Sequence, residues 1–319
     1  MSDVAAIQEL VQRQKALKQE IAKVIVGQDE VVHQIVMSIF SGGHALLIGV
    51  PGLAKTLMVN TISQALGLNF KRIQFTPDLM PSDILGSEIL DENRHFKFIK
   101  GPIFSNIILA DEINRTPPKT QAALLEAMQE RAVTVAGHHY KLDLPYFVLA
   151  TQNPIEQEGT YPLPEAQLDR FMFKVVIDYP NLVDECEIIR REHEALNGDK
   201  TVDVQTVVQK ADIDNVKSIV RSVLVEQNII EYIARIVQET REHPFLYLGA
   251  SPRASLAILN ASKGFAALHG RDFVTPDDVK DSALAVLQHR IIVAPEKEME
   301  GVKTEDIVKQ IIDALEIPR

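Results

Sequence analysis

The sequence predicts an α/β fold, in which a parallel five-stranded sheet carries a phosphate-binding loop and is followed by an all-helical C-terminal domain. Three observations predict this class. Apolar runs of strand length alternate with helical patterns up to about residue 180. One such run leads directly into a Gly/Pro loop that ends in Lys-Thr. Beyond Pro180 the apolar residues recur only at helical spacing. We therefore divide the chain into an α/β nucleotide-binding domain, 1–180, and a helical lid domain, 181–319.

The elements follow one another in a simple order. Helical spacing at 1–24 and 29–40 precedes the first predicted strand. Residues 76–104 are rich in Pro and Gly and predict an insertion, and residues 131–142 alternate around a Gly turn and predict a hairpin. The predicted core strands are 44–49, 69–75, 107–111, 146–150 and 171–177, with helices at 57–66 and 117–130. The predicted helices of the second domain are 183–196, 212–223, 226–242, 253–269, 276–290 and 303–315.

Composition and charge exclude several classes of protein. Hydrophobic residues make up 46% of the chain and charged residues 24%, as in a globular protein. The net charge of −11 disfavours nucleic acid as the main partner, because phosphate groups would be repelled. No apolar run is long enough for a transmembrane segment and no signal pattern opens the chain, so the cytoplasm is the expected location. The single cysteine, Cys186, cannot form an internal disulfide.

The loop after the first predicted strand has the residue types that phosphate binding needs. Glycines let backbone N–H groups surround an anion, and the start of a helix adds a positive dipole end. Lys55 is expected to reach the β- and γ-phosphates of a nucleotide, and the Thr56 hydroxyl to hold Mg²⁺. Ala54 replaces the usual second glycine, which costs little unless its φ is positive. The alternative is a plain Gly/Pro turn that carries a lysine. The nucleotide-contacting candidates are Gly49, Val50, Pro51, Gly52, Leu53, Ala54, Lys55, Thr56 and Leu57.

Two acids end the strand predicted at 107–111. Carboxylates at the C-terminal edge of a parallel sheet lie where such folds bind ligands. Asp111 is expected to hold Mg²⁺, directly or through water, and Glu112 to act as the general base for the attacking water. The alternative is a strand that ends in a solvated acidic turn. That alternative is less favoured here, because a phosphate-binding loop precedes the two acids in the same domain.

Three further polar residues are candidates for the same chemistry. Asn153 follows the strand at 146–150 and is a candidate to orient the attacking water, or else it simply caps the turn before Pro154. Arg170 precedes the last strand and is a candidate to stabilise charge in the transition state, or else it pairs with Asp169 or Glu165. Arg253 would point from the first turn of a lid helix, or else it is solvated.

Taken together, these residues resemble the AAA+ ATPases, and the MoxR family in particular, over roughly residues 20 to 315. The loop resembles that family's Walker A, including its alanine, and the strand ending in Asp111-Glu112 resembles its Walker B. The resemblance implies that Asn153 is sensor 1, that Arg170 is the arginine finger and that Arg253 is sensor 2. It also implies that Val26 and Gly27 belong to the segment that packs against adenine. Segments 76–104 and 131–142 resemble the helix-2 insert and the pre-sensor-1 hairpin of that clade.

The resemblance implies an ATP- and Mg²⁺-dependent motor that assembles as a homo-oligomeric ring, usually a hexamer. Such motors remodel or activate partner protein complexes, often with partners that carry von Willebrand factor A domains. A neighbour would supply Arg170, and hydrolysis would change the angle between the two domains through Arg253. Two alternatives stay open: a slow-turnover nucleotide switch or scaffold, and, less favoured by the acidic charge, a nucleic-acid motor.

Overall fold

The central feature of the fold is a five-stranded parallel sheet. The computed structural model describes residues 4–90, 92, 94–155, 159–196 and 203–318. The strands lie in the order β2-β5-β8-β1-β9, and every neighbouring pair is parallel. Parallel strands are buried on both faces, which is why their apolar runs are visible in the sequence. The strands are β1 (Ala45–Ile48), β2 (Phe70–Gln74), β5 (Ile107–Asp111), β8 (Phe147–Gln152) and β9 (Phe173–Val176).

Helices cover both faces of this sheet. Asp29 and Glu30 stand in the first turn of one helix, where acids favour the positive dipole end. Pro118 opens another, a position at which its missing N–H costs nothing. The helices of this region are α1 (Val4–Ala22), α2 (Asp29–Phe40), α3 (Lys55–Ala65), α5 (Pro118–Glu130) and the short α6 (Glu165–Leu168).

Two antiparallel hairpins stand outside the central sheet. The first follows the short helix α4 (Pro81–Leu85) and consists of β3 (Gly86–Leu90) and β4 (Phe96–Lys100). The second consists of β6 (Ala132–Val135) and β7 (His138–Lys141). Phe98 and Tyr140 stack between the hairpins with ring centroids 4.3 Å apart. The two hairpins therefore form one unit beside the sheet.

The chain beyond residue 180 is mainly helical. The Asp278 carboxylate accepts from the backbone N–H of Thr275 at 2.9 Å, and so satisfies a backbone donor at the start of one helix. The structure adds a small two-stranded sheet that the sequence did not indicate, since strands of two or three residues are too short to show alternation. The elements are α7 (Leu182–Leu196), α8 (Lys210–Ser222), α9 (Gln227–Glu242), β10 (Leu246–Leu248), α10 (Pro252–Leu268), α11 (Pro276–Leu287), β11 (Ile292–Val293), α12 (Pro295–Met299) and α13 (Thr304–Ala314).

Two hydrophobic clusters fill the interior, and they divide at the sheet. Alternate strand residues face opposite sides, so Leu47 and Leu149 belong to one cluster and Leu46 and Val148 to the other. The first cluster continues without a break into the helical region, through residues such as Ile258. The helical region is therefore packed against one face of the sheet. Within the described residues, no helix is both long and apolar enough to cross a membrane.

Candidate active site

The carboxyl edge of the sheet brings together residues that lie far apart in the sequence. In the parallel register Ile48 pairs with Gln152, and Ala110 pairs with Ala150. Gly49, Asp111 and Asn153, each at or just beyond a strand end, therefore lie at the same edge. Parallel sheets bind ligands outside this edge.

The phosphate-binding loop connects β1 to α3 with unusual backbone geometry. A Cβ on Gly49 would lie 2.9 Å from the Ile177 carbonyl oxygen, so the loop can leave the strand only with glycine there. Gly52 has a φ of 88°. Ala54 also lies in the left-handed region, with a φ of 52° and a ψ of 26°. The condition under which alanine is costly is thus met, and the cost is about 1–2 kcal/mol.

Lys55 and Thr56 begin α3 directly after this loop. The Lys55 ammonium donates a hydrogen bond to the Gly49 carbonyl oxygen, which folds the side chain back over the loop. Burial lowers the pKa of Lys55, and the nearby charges of Asp111 and Glu112 partly oppose that shift. The charged form of a lysine desolvated in this way is stabilised when an anionic ligand takes the place of the carbonyl oxygen. Leu57 is half exposed beside it.

Thr151 holds both acids in place. Its hydroxyl donates to Asp111 Oδ1 at 2.6 Å and accepts from the backbone N–H of Glu112 at 2.8 Å. The second carboxylate oxygen of Asp111 accepts from the Arg72 guanidinium at 2.9 and 2.6 Å. Asp111 is therefore oriented from both neighbouring strands, β8 and β2.

The Glu112 carboxylate is held by Gln74 of β2 and by Arg115, three residues further along the chain. The backbone of Glu112 is left-handed, with a φ of 57° and a ψ of 49°. Its carboxylate accepts hydrogen bonds from Gln74 Nε2 at 2.8 Å and from Arg115 Nη1 at 3.0 Å. These two contacts hold the Glu112 carboxylate beside β2 and the turn that follows β5.

Asn153 is buried at the end of β8, and only 7% of it is exposed. Its side-chain oxygen accepts from the backbone N–H of Ile155 at 3.2 Å, as the capping alternative predicts. That bond leaves the amide nitrogen to interact with a ligand. The capping and ligand-orienting roles are therefore compatible.

The loop that contains Val26 and Gly27 lies beside the end of β9. Gln28 Nε2 donates to the Asp178 carbonyl oxygen at 3.1 Å. A cavity of about 320 Å³ opens here, and Gly27, Gln28, Val176 and Tyr179 are among its lining residues. Gly27, which the resemblance places against adenine together with Val26, therefore lines a cavity, and the role of both residues stays a prediction.

Arg170 and Arg253 lie together, but at the opposite edge of the sheet. Both line a cleft of about 290 Å³, with Gly43, His44 and Arg131 on its other walls. His44 precedes β1, whereas Gly49 follows it, and a four-residue strand spans about 13 Å. Neither arginine therefore reaches the phosphate-binding loop of its own chain. The lid packs its helix α10 against this amino edge, and the sensor 2 role that the resemblance implies for Arg253 stays a prediction.

The contacts of Arg170 differ from those expected if it paired with Asp169 or Glu165. Its Nη1 donates to the Leu125 carbonyl oxygen at 2.7 Å, and its Nε is buried without a partner. Asp169 instead pairs with Arg290 of the lid. The Arg170 guanidinium therefore has no carboxylate partner in the ion pairs of the described residues.

Buried histidines mark the same amino edge. His44 Nδ1 accepts from the backbone N–H of Val148 at 3.0 Å, so the proton is on Nε2, which donates to the Met128 carbonyl oxygen at 3.2 Å. Burial lowers the pKa of His44 to about 4. Burial and the charge of Arg290 also lower the pKa of His289, which donates to the Phe171 carbonyl oxygen at 3.0 Å. Both rings are neutral at physiological pH.

A divalent metal fits the carboxyl edge. The Thr56 hydroxyl and the Asp111 carboxylate are hard oxygen donors, and Mg²⁺ is usually held by one or two such groups plus phosphate oxygens. Within the described residues no cluster of three or more His, Cys, Asp or Glu could form an all-protein metal cage. Thr56 and Asp111 would therefore need phosphate oxygens or water to complete the coordination of a metal.

The sequence analysis missed Arg72, Gln74, Arg115 and Thr151, all of which contact the two acids. A partial signal exists for the first two, because they alternate on β2 and so face the same side. That β2 is the neighbour of β5 follows only from the sheet order. Thr151 stood next to Asn153 but resembled an ordinary strand residue.

Known proteins share this sequence and fold. Residues 44–173 match the ATPase family associated with various cellular activities (AAA), and residues 238–311 match the AAA lid domain. The chain is 46% identical to the uncharacterized protein YeaC of Bacillus subtilis, over 94% of this chain and 93% of YeaC. It is 40% identical to the chaperone MoxR1 of Mycobacterium tuberculosis, over 94% of this chain and 81% of MoxR1. The solved structure of a candidate ATPase from Cytophaga hutchinsonii aligns with a TM-score of 0.92 at 43% identity, over 99% of this chain and 98% of that one.

Proposed function

The chain belongs to the MoxR family of AAA+ ATPases, and from that premise we propose that it is a Mg²⁺-dependent, ring-forming motor that remodels a partner protein complex. ATP hydrolysis and a chaperone-like role are properties of that family. One observation carries the rest of the proposal. The phosphate-binding loop and the two candidate arginines lie at opposite edges of one sheet, so a complete site needs two chains.

The carboxyl edge of one subunit binds the nucleotide. Backbone N–H groups of residues 49–54 and the Lys55 ammonium surround the phosphates, and Val26 and Gly27 contact the base. Thr56 and Asp111 hold Mg²⁺, which neutralises charge on the β- and γ-phosphates. Asn153 orients the attacking water. Glu112 leaves its contacts with Gln74 and Arg115 and takes the proton from that water.

The amino edge of the neighbouring subunit completes the site. Its Arg170 reaches the γ-phosphate and offsets the charge that develops as the phosphoryl group leaves. Arg253 lies in the same cleft and approaches the same phosphates, so both act in trans. Rings of such motors are usually hexamers, and we propose a hexamer for this protein.

The paired hairpins are the proposed contact with the client. Phe96 at the start of β4 is 75% exposed, and Leu90 at the end of β3 is also exposed. Exposed apolar side chains that lie close together are typical of protein contact sites. A partner with a von Willebrand factor A domain would bring the client. The net charge of −11 makes nucleic acid a poor client.

A slow nucleotide switch is the second candidate, and one observation favours it. The Glu112 carboxylate forms an ion pair with Arg115 and a hydrogen bond with Gln74, and both must break before it can act as a base. If the client controls its release, basal turnover is slow. Stimulation of ATPase by a client would separate the motor from a switch that stays slow.

Mixing two variants tests the shared site. Arg170→Ala keeps a complete nucleotide pocket, and Glu112→Gln keeps the arginine but lacks the base. Some interfaces in mixed rings then contain every group, so the ATPase rate of the mixture should exceed the sum of the two variants alone. It should also rise with protein concentration, since the site requires assembly. A simple sum, under conditions where sizing shows mixed rings, would rule out the trans role of Arg170.

A further inference from the structure

The lid holds the segment around Arg170 through a group of side chains that we call the lid latch: Ser251, Gln288, His289 and Arg290. Three of them are consecutive and follow α11 directly. Gln288 donates to the Lys174 carbonyl oxygen at 2.5 Å, and His289 donates to that of Phe171. These bonds run along β9, the edge strand of the sheet, and along the residues that lead into it.

Arg290 makes the largest number of these contacts. Its side chain is 3% exposed. Its guanidinium donates to the carbonyl oxygens of Asp169, Phe171 and Met172 at 3.1, 2.6 and 3.1 Å. These three residues flank Arg170 on both sides. The backbone that carries Arg170 is therefore bonded to the lid and not only to its own domain.

The carboxylate of Asp169 joins the two domains at one point. Its Oδ1 accepts from Arg290 Nε at 2.7 Å, and its Oδ2 accepts from the Ser251 hydroxyl at 2.8 Å. Ser251 also caps α10 by accepting from the backbone N–H of Arg253 at 3.1 Å. The same carboxylate thus ties the residue before Arg170 to the helix start that carries Arg253.

We propose that the lid latch holds Arg170 and Arg253 in one fixed arrangement, so that the lid of each subunit positions the arginines that serve its neighbour's nucleotide. Asp169, Ser251 and Arg290 are positioning residues in this arrangement. The inference rests on the proposed trans role of Arg170. Any displacement of the lid relative to the sheet would therefore be transmitted to the backbone of Arg170.

The chain offers a matched control for this contact. Arg271 and Asp278 form another arginine–aspartate pair, at 2.7 Å, with the aspartate fully buried. Both residues lie within the lid, before and in the first turn of α11, and their side chains bond to each other, to His269 and to Thr275. Arg271→Lys and Arg290→Lys therefore make the same chemical change, within the lid and across the domain boundary respectively.

The first experiment compares these two variants by steady-state ATPase kinetics. A misplacement of about 1 Å can cost 10²-fold in rate, so Arg290→Lys should lose about that much in kcat with little change in KM. Arg271→Lys should keep the wild-type kcat in the folded protein. Equal kcat values for Arg290→Lys and wild type would overturn the inference, as would an equal loss in both variants.

A second experiment separates positioning from general loss of structure. If Arg290 acts through Arg170, the double variant Arg170→Ala/Arg290→Lys should be no slower than Arg170→Ala alone. Independent structural damage would instead multiply the two losses. Ser251→Gly supplies a mild variant, because glycine caps a helix nearly as well as serine and removes only the hydroxyl that contacts Asp169. It should lower kcat in the same direction by a smaller factor, and unchanged turnover in both Ser251→Gly and Arg290→Lys contradicts the latch.

The outcomes for the latch and for the trans site are distinguishable. Mixing Arg290→Lys with Glu112→Gln should restore activity at interfaces where the latch-deficient subunit supplies the pocket and its neighbour supplies intact arginines. If Arg170→Ala gains activity in such mixtures but Arg290→Lys keeps full activity by itself, the latch fails and the trans site stands. If Arg170→Ala itself shows no gain, the proposed shared site fails first.

Discussion

The two edges of the central sheet differ in charge, in exposure and in what they can bind. The carboxyl edge presents a lysine, a threonine and two acids around an open loop. The amino edge presents Arg131, Arg170 and Arg253 in one cleft, beside the buried neutral His44. The carboxyl edge thus combines a cation with hydroxyl and carboxylate groups, whereas the amino edge groups cations alone. This difference supports the proposal that a single chain carries two halves of different sites.

Removal of the Arg170 guanidinium should have the largest effect on the ATPase rate. We expect Arg170→Ala to lower the ATPase rate by roughly 10³–10⁵, the usual value of an arginine supplied in trans. ATP binding should be almost unchanged, because Arg170 is far from the loop of its own chain. Arg235→Ala, which removes an exposed arginine of the lid helix α9, is the control and should hydrolyse ATP normally. Loss of ATP binding in Arg170→Ala would place it in the site of its own chain.

Changes at the carboxyl edge should separate binding from turnover. Glu112→Gln keeps the shape of the side chain but not the base, and should slow hydrolysis by about 10²–10⁴. Lys55→Ala should instead lose nucleotide binding. With ATP at about 100 times its dissociation constant, wild type gains about 2.7 kcal/mol of stability. Thermal unfolding with and without ATP should show that gain in Glu112→Gln and not in Lys55→Ala. A full ATP shift in both variants contradicts the role of Lys55.

Acid should destabilise the amino edge selectively. His44 has a folded pKa of about 4, below the ordinary value of 6.5, so the unfolded chain binds a proton that the folded chain does not. Its contribution is fully present above pH 6.5 and is lost as the pH falls toward 4, by up to about 3 kcal/mol. Urea unfolding at pH 7, 6 and 5 should show this slope, and His44→Gln should show a flatter one. His289 acts in the same direction in both proteins.

The smallest effect concerns the backbone of the phosphate-binding loop. Ala54→Gly should relieve left-handed strain of about 1–2 kcal/mol and give back part of that gain as unfolded-state entropy. Ala136→Gly is the matched control, because Ala136 also has a positive φ, 49°, in the turn between β6 and β7. Urea unfolding should show similar stabilisation in both. Only Ala54→Gly should alter the dissociation constant for ATP. An equal change in the dissociation constant of Ala136→Gly would show that the effect does not come from the phosphate-binding loop.

Most of the residues at the carboxyl edge could be predicted from the sequence, but few of the contacts that form the amino edge could. Buried parallel strands are continuous apolar runs, so the elements that end in Gly49, Asp111 and Asn153 were visible without a structure. The conformation of Ala54 was not, because φ depends on the loop's neighbours. The residues 288–290 resembled the last turn of a helix predicted to end at 290, whereas the helix ends at Leu287 and those residues bond to β9. Such contacts join positions more than 110 residues apart, which periodicity cannot detect.

The opposite placement of the two half-sites also limits how copies of this chain can assemble productively. On the proposed trans site, the carboxyl edge of one chain contacts the amino edge of the next, and head-to-tail contacts of this kind form a closed ring or an open filament. An open row of subunits joined in this way leaves one nucleotide without an arginine at its end, whereas a closed ring leaves none. If the proposed trans site is correct, ring closure would raise the activity per subunit without any change within a subunit. An inhibitor that caps one exposed edge would stop growth of the assembly at that end and leave every interior site intact.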